Sequence, residues 1–172
     1  MSKLAILNDS HFGIKNGSQI FMDYADKFFD EVFFPYCVEH NIKEVLHLGD
    51  FFDHRKYVNY KVLEHAYEAF ISKLYEYDMT MDIIPGNHDV YYKNTNTLNS
   101  LTQVLGQYSD RIHIHMDPID KDFDGLSIGF LPWMTQDNHD QCMEFIAKSK
   151  SSILVSHLEL KGFEMGKGLP VA

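Results

Sequence analysis

The sequence predicts an α/β domain in which short buried strands alternate with amphipathic helices. Apolar runs of strand length recur along the chain, and stretches with apolar residues at helical spacing separate them. At 172 residues, with 45% apolar side chains, the chain is long enough to enclose one sizeable core. No internal repeat, low-complexity tract or linker divides it, so we interpret residues 1–172 as one domain.

The first strand is expected at residues 3–8, and residues 13–18 should form a loop. From Ile20 onward, apolar pairs recur every four residues with acidic and lysine residues between them, which predicts an amphipathic helix. Pro35 should kink the last turn of this helix or end it early. The remaining elements are expected in this order: strand 44–48, helix 59–77, strand 81–84, helix 95–108, strands 111–115 and 126–131, helix 138–148 and strand 152–156.

Charge, cysteine content and hydropathy argue against several classes of protein. The formal net charge of -10 argues against a simple basic clamp on nucleic acid, although bound divalent cations would neutralise part of that charge. Cys37 and Cys142 lie far apart without a CxxC, and we expect reduced core residues, as in a cytoplasmic protein. No apolar stretch approaches the ~20 residues of a membrane span, and Met1 leads into a strand without a signal-peptide pattern.

Four predicted strands carry Asp, Asn or His immediately after the apolar run. These strand ends read Asn8-Asp9-Ser10-His11, Gly49-Asp50-Phe51-Phe52-Asp53-His54, Gly86-Asn87-His88-Asp89 and Ser156-His157. Sites in such sheets form where the strands deliver their carboxyl ends. Oxygen ligands mixed with imidazole suit Mn²⁺, Fe²⁺ or Zn²⁺, and the absence of thiolates argues against structural zinc. The set therefore predicts a metal centre of the kind that supports phosphoryl displacement with two ions.

The ordered motifs DxH, GDxxD, GNHD and a later lone His resemble the calcineurin-like metallophosphoesterase superfamily. Longer stretches, "GDFFDHRK", "IPGNHDVYYKN", "FLPWM" and "SHLELKGF", are similar to the nuclease branch that serves phage recombination and double-strand-break repair. The resemblance runs from Met1 to about Gly168. It implies a metallophosphoesterase-type β-sandwich flanked by helices.

The resemblance also implies a set of metal ligands. Asp9 and His11 would hold a first ion, Asn87 and His157 a second, and Asp50 would bridge the two. The implied cofactor is a pair of divalent ions, with Mn²⁺ preferred. A strand-end histidine such as His157 is also common as a purely structural residue, and that alternative stays open.

Two further residues receive catalytic roles from the resemblance. His88 would stabilise the transition state and protonate the leaving oxygen, a task that suits an imidazole near neutral pH. Asp53 occupies the place where related phosphatases keep the Asp that orients this histidine, although related nucleases usually have a His there.

Residues beside these motifs are candidate DNA contacts. His54 and Arg55 follow the GDxxD loop and would touch a phosphate backbone, with a solvated loop as the alternative. Tyr91 and Tyr92 would stack on bases of single-stranded or frayed DNA, with ordinary packing as the alternative.

The superfamily's last motif, GHxH, does not occur in the sequence. The only HxH is His113-Ile114-His115, which lacks the glycine and precedes His157, so we interpret it as the solvent face of a strand. Metal binding by these two histidines is the alternative. We expect a truncated chain that lacks its last strands, with metal affinity and turnover reduced.

The predicted function is a Mn²⁺-dependent DNA exonuclease and single-strand endonuclease in DNA end processing, recombination, repair and replication. The implied partners are DNA and an SMC-like ATPase subunit, together with a homodimer contact on helix 59–77 through Tyr60, Leu63, Tyr67 and Tyr75. Two alternatives remain. One is a small-molecule phosphodiesterase or a protein phosphatase, although His54 and Asp89 depart from the protein-phosphatase motifs GDxxDRG and GNHE. The other is a catalytically impaired module for dimerisation or partner binding.

Overall fold

A computed structural model describes residues 3–159, which contain two β-sheets with helices packed against them. The first sheet is wholly parallel in the order β1-β2-β3-β4, and the second is β5-β6-β7, with β5 antiparallel to β6 and β7 parallel to it. The strands are β1 Leu4–Leu7, β2 Glu44–His47, β3 Thr80–Ile83, β4 Ile112–Ile114, β5 Ile119–Phe123, β6 Leu126–Leu131 and β7 Ile153–Ser156.

The strands of the first sheet end level with one another. Leu7 pairs with His47, His47 with Ile83, and Ile83 with Ile114, so each strand stops at the same edge. The segments that follow β1, β2 and β3 therefore begin side by side. This register brings the predicted strand-end motifs together.

The first long helix, α1, covers residues 19–39 and does not end early at Pro35. It is α-helical over Gln19–Phe28, widens to a π-helical turn over Phe29–Phe33, and is α-helical again over Phe34–Glu39. The amide of Phe34 bonds to the carbonyl of Phe29, five residues back. Pro35 thus lies at the start of a new α-helical segment, where a missing N–H costs little.

The apolar pairs of α1 divide between two surfaces. The second members of the later pairs pack inward, as Phe29, Phe33 and Cys37 do. The first members form an exposed row along the helix: Ile20, Tyr24, Phe28, Val32 and Tyr36. The sequence pattern correctly predicted a helix, but half of its apolar residues lie outside the core.

The helix predicted at 59–77 is confirmed as α2, residues 60–76, with a π-helical turn at Tyr67–Ile71. Asn59 begins it by accepting a hydrogen bond from the amide of Val62 at 2.9 Å. Ion pairs from α1 to α2 join Asp26 to His65 and Asp30 to Lys73.

The helix predicted at 95–108 begins later than expected. Helix α3 is α-helical over Ser100–Val104 and 3₁₀-helical over Leu105–Tyr108. The side chain of Asn99 accepts from the amide of Thr102 at 2.8 Å and donates to the carbonyl of Asn96. Asn99 is therefore the helix cap, and the residues before it are held as a loop. The last helix, α4, spans His139–Lys148 as predicted.

Strand β5 escaped the sequence analysis because its pattern is mostly polar. Its residues Ile119–Phe123 read IDKDF and lie largely exposed at the edge of the second sheet. A signal was present in Asp124-Gly125, which both have positive φ and connect β5 to β6. Asp-Gly between two strand-like runs is a strong hairpin signal. Residues 13–18 form a turn in which Lys15 and Asn16 are left-handed, in agreement with the predicted loop.

Two apolar clusters cover the two faces of the first sheet. One cluster joins the helices to the sheet and includes Phe12, Phe29, Phe70 and Met81. The other lies between the sheets and consists of Leu46, Ile84, Phe123, Ile128, Phe130 and Val155. The predicted β-sandwich flanked by helices is confirmed.

Cys37 and Cys142 are buried and form no disulfide, as expected, and burial raises the pKa of both thiols. None of the helices within residues 3–159 combines the length and hydropathy that a membrane crossing requires.

Candidate metal centre

The centre is built from the segments that follow β1, β2 and β3. Main-chain hydrogen bonds from Asp9 to Gly49 and from His11 to Asp50 hold the first two segments together. Asp9, His11 and Asp50 all adopt left-handed φ values, of 53°, 43° and 55°. Such backbone conformations are costly for residues with side chains and cluster at functional sites.

Two glycines let the second and third segments touch. A Cβ added to Gly49 would lie 2.6 Å from the nitrogen of Gly86, and one added to Gly86 would lie 2.5 Å from the nitrogen of Asp50. Real Cβ atoms do not approach other atoms so closely. Both positions therefore require glycine for the segments to pack as they do.

Asp9, His11 and Asp50 offer ligand atoms that all lie within 4.8 Å of one another. The Nε2 atom of His11 is 3.5 Å from Asp9 Oδ1 and 3.6 Å from Asp50 Oδ2. Ligand atoms about 2.0–2.2 Å from one ion lie about 3–3.5 Å apart, so these separations match a shared cation.

His157 lies close to the same carboxylate and to the side chain of Asn87. His157 Nε2 lies 3.4 Å from Asp50 Oδ2 and 3.1 Å from Asn87 Oδ1. The other ring nitrogen, Nδ1, donates to the carbonyl of Leu48 at 2.9 Å, which orients the ring so that Nε2 is directed at these oxygens. One oxygen of Asp50, Oδ2, is thus within 3.6 Å of the imidazoles of both His11 and His157.

The donor set fits divalent cations. It contains two carboxylates, an amide oxygen and two imidazole nitrogens, without a thiolate, which suits a hard or borderline metal ion. Asp50 is only 3% exposed. Among residues 3–159, no lysine or arginine forms an ion pair with Asp9 or Asp50, so the negative charge is left for a cation.

His88 is held beside the centre by two hydrogen bonds. Its amide donates to Asp50 Oδ1 at 2.7 Å, and its Nδ1 donates to the main-chain carbonyl of Asp53 at 2.6 Å. The ring meets that of His11 edge to face at 4.9 Å. Because Nδ1 of His88 is used by the bond to Asp53, Nε2 is the ring nitrogen that remains available to a substrate.

Asp53 accepts a hydrogen bond from His88 through its main-chain carbonyl, whereas its carboxylate lies closer to His11 and His54. The carboxylate is 3.3 Å from Nδ1 of His11 and 3.9 Å from Nε2 of His54. His11, Asp53 and His88 together form a second group with ligand atoms in mutual reach. Sequence reasoning paired Asp53 with His88 but gave no means to foresee the main-chain contact.

Asp89 has a role that the sequence did not reveal. Its carboxylate is fully buried and accepts hydrogen bonds from the amides of Gly86, Asp50 and Phe51 at 2.9, 2.7 and 3.1 Å. Burial raises the pKa of Asp89 to about 6, and the main-chain donors oppose that rise. The side chain therefore fastens the second segment to the third and is not directed at the metal ligands.

His47 is buried beside the centre and contacts Ser10. It is fully buried, and its Nε2 lies 2.7 Å from the hydroxyl of Ser10. Burial, assisted by the nearby His157 and His11, lowers the pKa of His47 to about 3. The ring is neutral at physiological pH.

The candidate DNA contacts lie at one side of the centre. His54 stacks on Tyr57 with centroids 4.7 Å apart, and Arg55 Nε donates to the carbonyl of Val90 at 2.9 Å. His54, Arg55 and Tyr91 line one cleft. Tyr92 meets the ring of Tyr91 at 4.7 Å but is half exposed outside that cleft.

The HxH pair lies around a different carboxylate. His115 Nε2 is 2.7 Å from Asp82 and His113 Nδ1 is 3.6 Å from it, while Lys121 Nζ bonds both oxygens of that carboxylate. A lysine thus occupies the place that a cation would take. The final residues of "SHLELKGF", from Leu160 onward, lie outside the described part of the chain.

Comparisons with known proteins show the family of the chain. The calcineurin-like phosphoesterase family matches residues 2–167. The chain is 32% identical over 167 residues to exonuclease subunit 1 of Enterobacteria phage T4, covering 97% of this chain and 48% of that protein. It therefore spans about half the length of this curated relative.

A solved structure supports the fold alone. A protein of unknown function from Aquifex aeolicus superposes with a TM-score of 0.53 at 15% identity, over 98% of this chain and 84% of that one. The family match covers nearly the whole sequence, including every strand-end motif of the centre. The chain belongs to the calcineurin-like phosphoesterase family.

Proposed function

We propose that this domain is a metal-dependent DNA nuclease that hydrolyses phosphodiester bonds as an exonuclease and single-strand endonuclease. The observation that carries the proposal is the position of Asp50 Oδ2 between His11 Nε2 and His157 Nε2, at 3.6 and 3.4 Å. That arrangement supports a pair of metal ions, and the T4 relative is named an exonuclease subunit.

The proposed ligand set follows from the geometry of the centre. Asp9 and His11 hold one ion, Asn87 and His157 the other, and Asp50 serves both. Mn²⁺ is the proposed ion because the donors mix carboxylate, amide and imidazole groups. Two such ions would activate a water molecule and stabilise charge on the entering and leaving oxygens of the phosphate.

His88 is the proposed proton donor to the leaving oxygen. Its Nδ1 is committed to the carbonyl of Asp53, so the exchangeable position on the ring is Nε2. The main-chain amide of His88 donates a hydrogen bond to Asp50, so His88 is held against the carboxylate that would bridge the metal ions. General acid catalysis of this kind contributes about 10²–10⁴-fold to rate.

The test compares wild type with His88→Ala in Mn²⁺-dependent degradation of a single-stranded oligonucleotide. We expect Mn²⁺ uptake to persist and kcat to fall by about 10²–10⁴-fold. His139→Ala is the matched control because His139 is exposed on α4. Wild-type cleavage of a nitrophenyl phosphate but not of DNA would favour a small-molecule phosphodiesterase or a protein phosphatase.

We also propose that the domain self-associates and works with an SMC-like ATPase subunit. Tyr60, Tyr67 and Tyr75 on α2 are exposed, whereas Leu63 is partly buried, so only part of the predicted dimer face is accessible. The exposed row of α1 adds apolar surface on the helix that pairs with α2. A continuous row of exposed apolar side chains is typical of an interaction site. Sedimentation velocity of wild type against a Tyr24→Glu, Val32→Glu variant tests self-association, and an unchanged distribution would remove α1 from it.

A further inference from the structure

A cleft of about 310 Å³ opens beside the metal centre, and we name it the side cleft. Its inner wall is apolar and is formed by Val58, Leu63, Leu98 and Val104. This volume is at the lower end of the range of about 300–1,000 Å³ for pockets that bind small molecules. The side cleft has room for one flat ring system with its sugar.

The walls of the side cleft continue from the segments that carry the metal ligands. His54 follows Asp53 directly, and their side chains lie 3.9 Å apart. Tyr91 comes two residues after Asp89, which binds the amides of the Asp50 segment. Arg55 ties the two walls together through its bond to the carbonyl of Val90. A molecule in the side cleft is therefore next to any phosphate held at the metal centre.

Basic and aromatic side chains line the opening of the side cleft. His54, Arg55 and Lys56 stand in sequence along it, in a protein whose formal net charge is -10. Tyr57 is 56% exposed and stacks on His54, and Lys56 Nζ lies 5.9 Å above the ring of Tyr91. An apolar slot with aromatic walls and a basic opening matches a planar base attached to a phosphate.

We propose that the side cleft holds one unpaired base of the DNA strand, adjacent to the phosphate under attack. The proposal rests on the nuclease function above and refines its substrate class. A base that is paired and stacked in a duplex cannot enter such a slot without being unstacked, which costs a few kcal/mol. The enzyme would therefore prefer single-stranded or frayed ends over intact duplex.

The kinetic test uses two esters that release the same nitrophenolate. One is thymidine 5′-(p-nitrophenyl) phosphate, which carries a base, and the other is methyl p-nitrophenyl phosphate, which carries none. We expect Tyr57→Ala to lower the ratio of kcat/KM for the thymidine ester to that for the methyl ester by about 5- to 150-fold. Tyr57→Phe should restore the ratio, since it keeps the ring. His139→Ala, at an exposed histidine on α4, is the control.

A binding measurement separates this proposal from the nuclease proposal. Fluorescence anisotropy with labelled oligothymidylate and an abasic oligomer of equal length requires no turnover. Tighter binding of oligothymidylate that Tyr57→Ala abolishes would support the side cleft even if neither ester were hydrolysed, which would overturn only the nuclease proposal. Equal affinity for the two oligomers, or an ester ratio unchanged by Tyr57→Ala, overturns the assignment of the side cleft.

Discussion

The imidazole of His157 lies 3.4 Å from the carboxylate of Asp50, although the two residues come from opposite sheets of the sandwich. The bond from His157 Nδ1 to the carbonyl of Leu48 fixes both the ring orientation and the tautomer. The second sheet therefore supplies one candidate ligand to a centre whose other candidate ligands follow strands of the first. Close packing of the two sheets is a condition for the complete site.

His157→Ala should weaken binding of the second ion while leaving the first. Loss of an outer partner of a ligand costs about 10–100-fold in metal affinity, and removal of the ligand itself should cost at least as much. Calorimetric titration with Mn²⁺ measures this, with His139→Ala as the control on an exposed histidine. Two undiminished binding steps in His157→Ala would show that His157 is only structural.

Gly86→Ala should damage the centre although it replaces no ligand, because the added Cβ would clash with the side chain and the main chain of Asp50. The added Cβ would lie 2.5 Å from the nitrogen of Asp50, so the second and third segments must separate. Overpacking of this kind costs about 1–3 kcal/mol in free energy of unfolding, and Mn²⁺ affinity should fall with it. Urea unfolding and calorimetry measure the two effects.

Gly106→Ala is the matched control for that substitution. A Cβ at Gly106 meets no atom within 4 Å, so the change should be neutral or stabilise the protein by about 0.4–1 kcal/mol. If Gly86→Ala behaved like Gly106→Ala in both measurements, the close packing of the two segments would not be required.

The Asp82 cluster predicts a defined dependence of stability on pH. Burial by itself would raise the pKa of Asp82, but hydrogen bonds from His115 and Lys121 outweigh it and hold the pKa below the usual 3.8. A lowered pKa in the folded state means that the unfolded chain binds the proton more tightly. The stabilisation is therefore complete above pH 3.8 and is lost as the pH falls through the folded-state value.

Asp82→Asn should lower the free energy of unfolding by about 1–3 kcal/mol at pH 7, because it removes the charge that Lys121 and His115 contact. The difference between variant and wild type should shrink as the pH falls below 3.8. Urea unfolding across this range measures it. A difference that stays constant down to the lowest pH would contradict the ion-pair interpretation.

The sequence predicted much of this centre because its residues follow strand ends directly. Once β1, β2 and β3 are parallel and end level, Asp9, Asp50 and Asn87 must meet at one edge of the sheet. The position of His157 required the second sheet to pack correctly, and the apolar run before it made that strand recognisable.

Other features depend on contacts that a linear pattern does not encode. The buried bonds of Asp89 and the main-chain bond of Asp53 join atoms whose proximity arises only from the tertiary fold. The later start of the third helix is different, because it follows from local hydrogen bonds of the cap residue Asn99 to Asn96 and Thr102. The exposed row of α1 is apolar, as a core-facing row is, so hydropathy does not distinguish the two.

The most direct measurement is calorimetric titration of Mn²⁺ into metal-free wild type and into Asp50→Asn. Asp50 Oδ2 faces both His11 and His157, so loss of its charge should disrupt both sites together. We predict that wild type binds two ions and that Asp50→Asn binds none at concentrations that saturate wild type. Equal uptake by the two proteins, or no uptake by wild type at millimolar Mn²⁺, would contradict a metal centre bridged by Asp50.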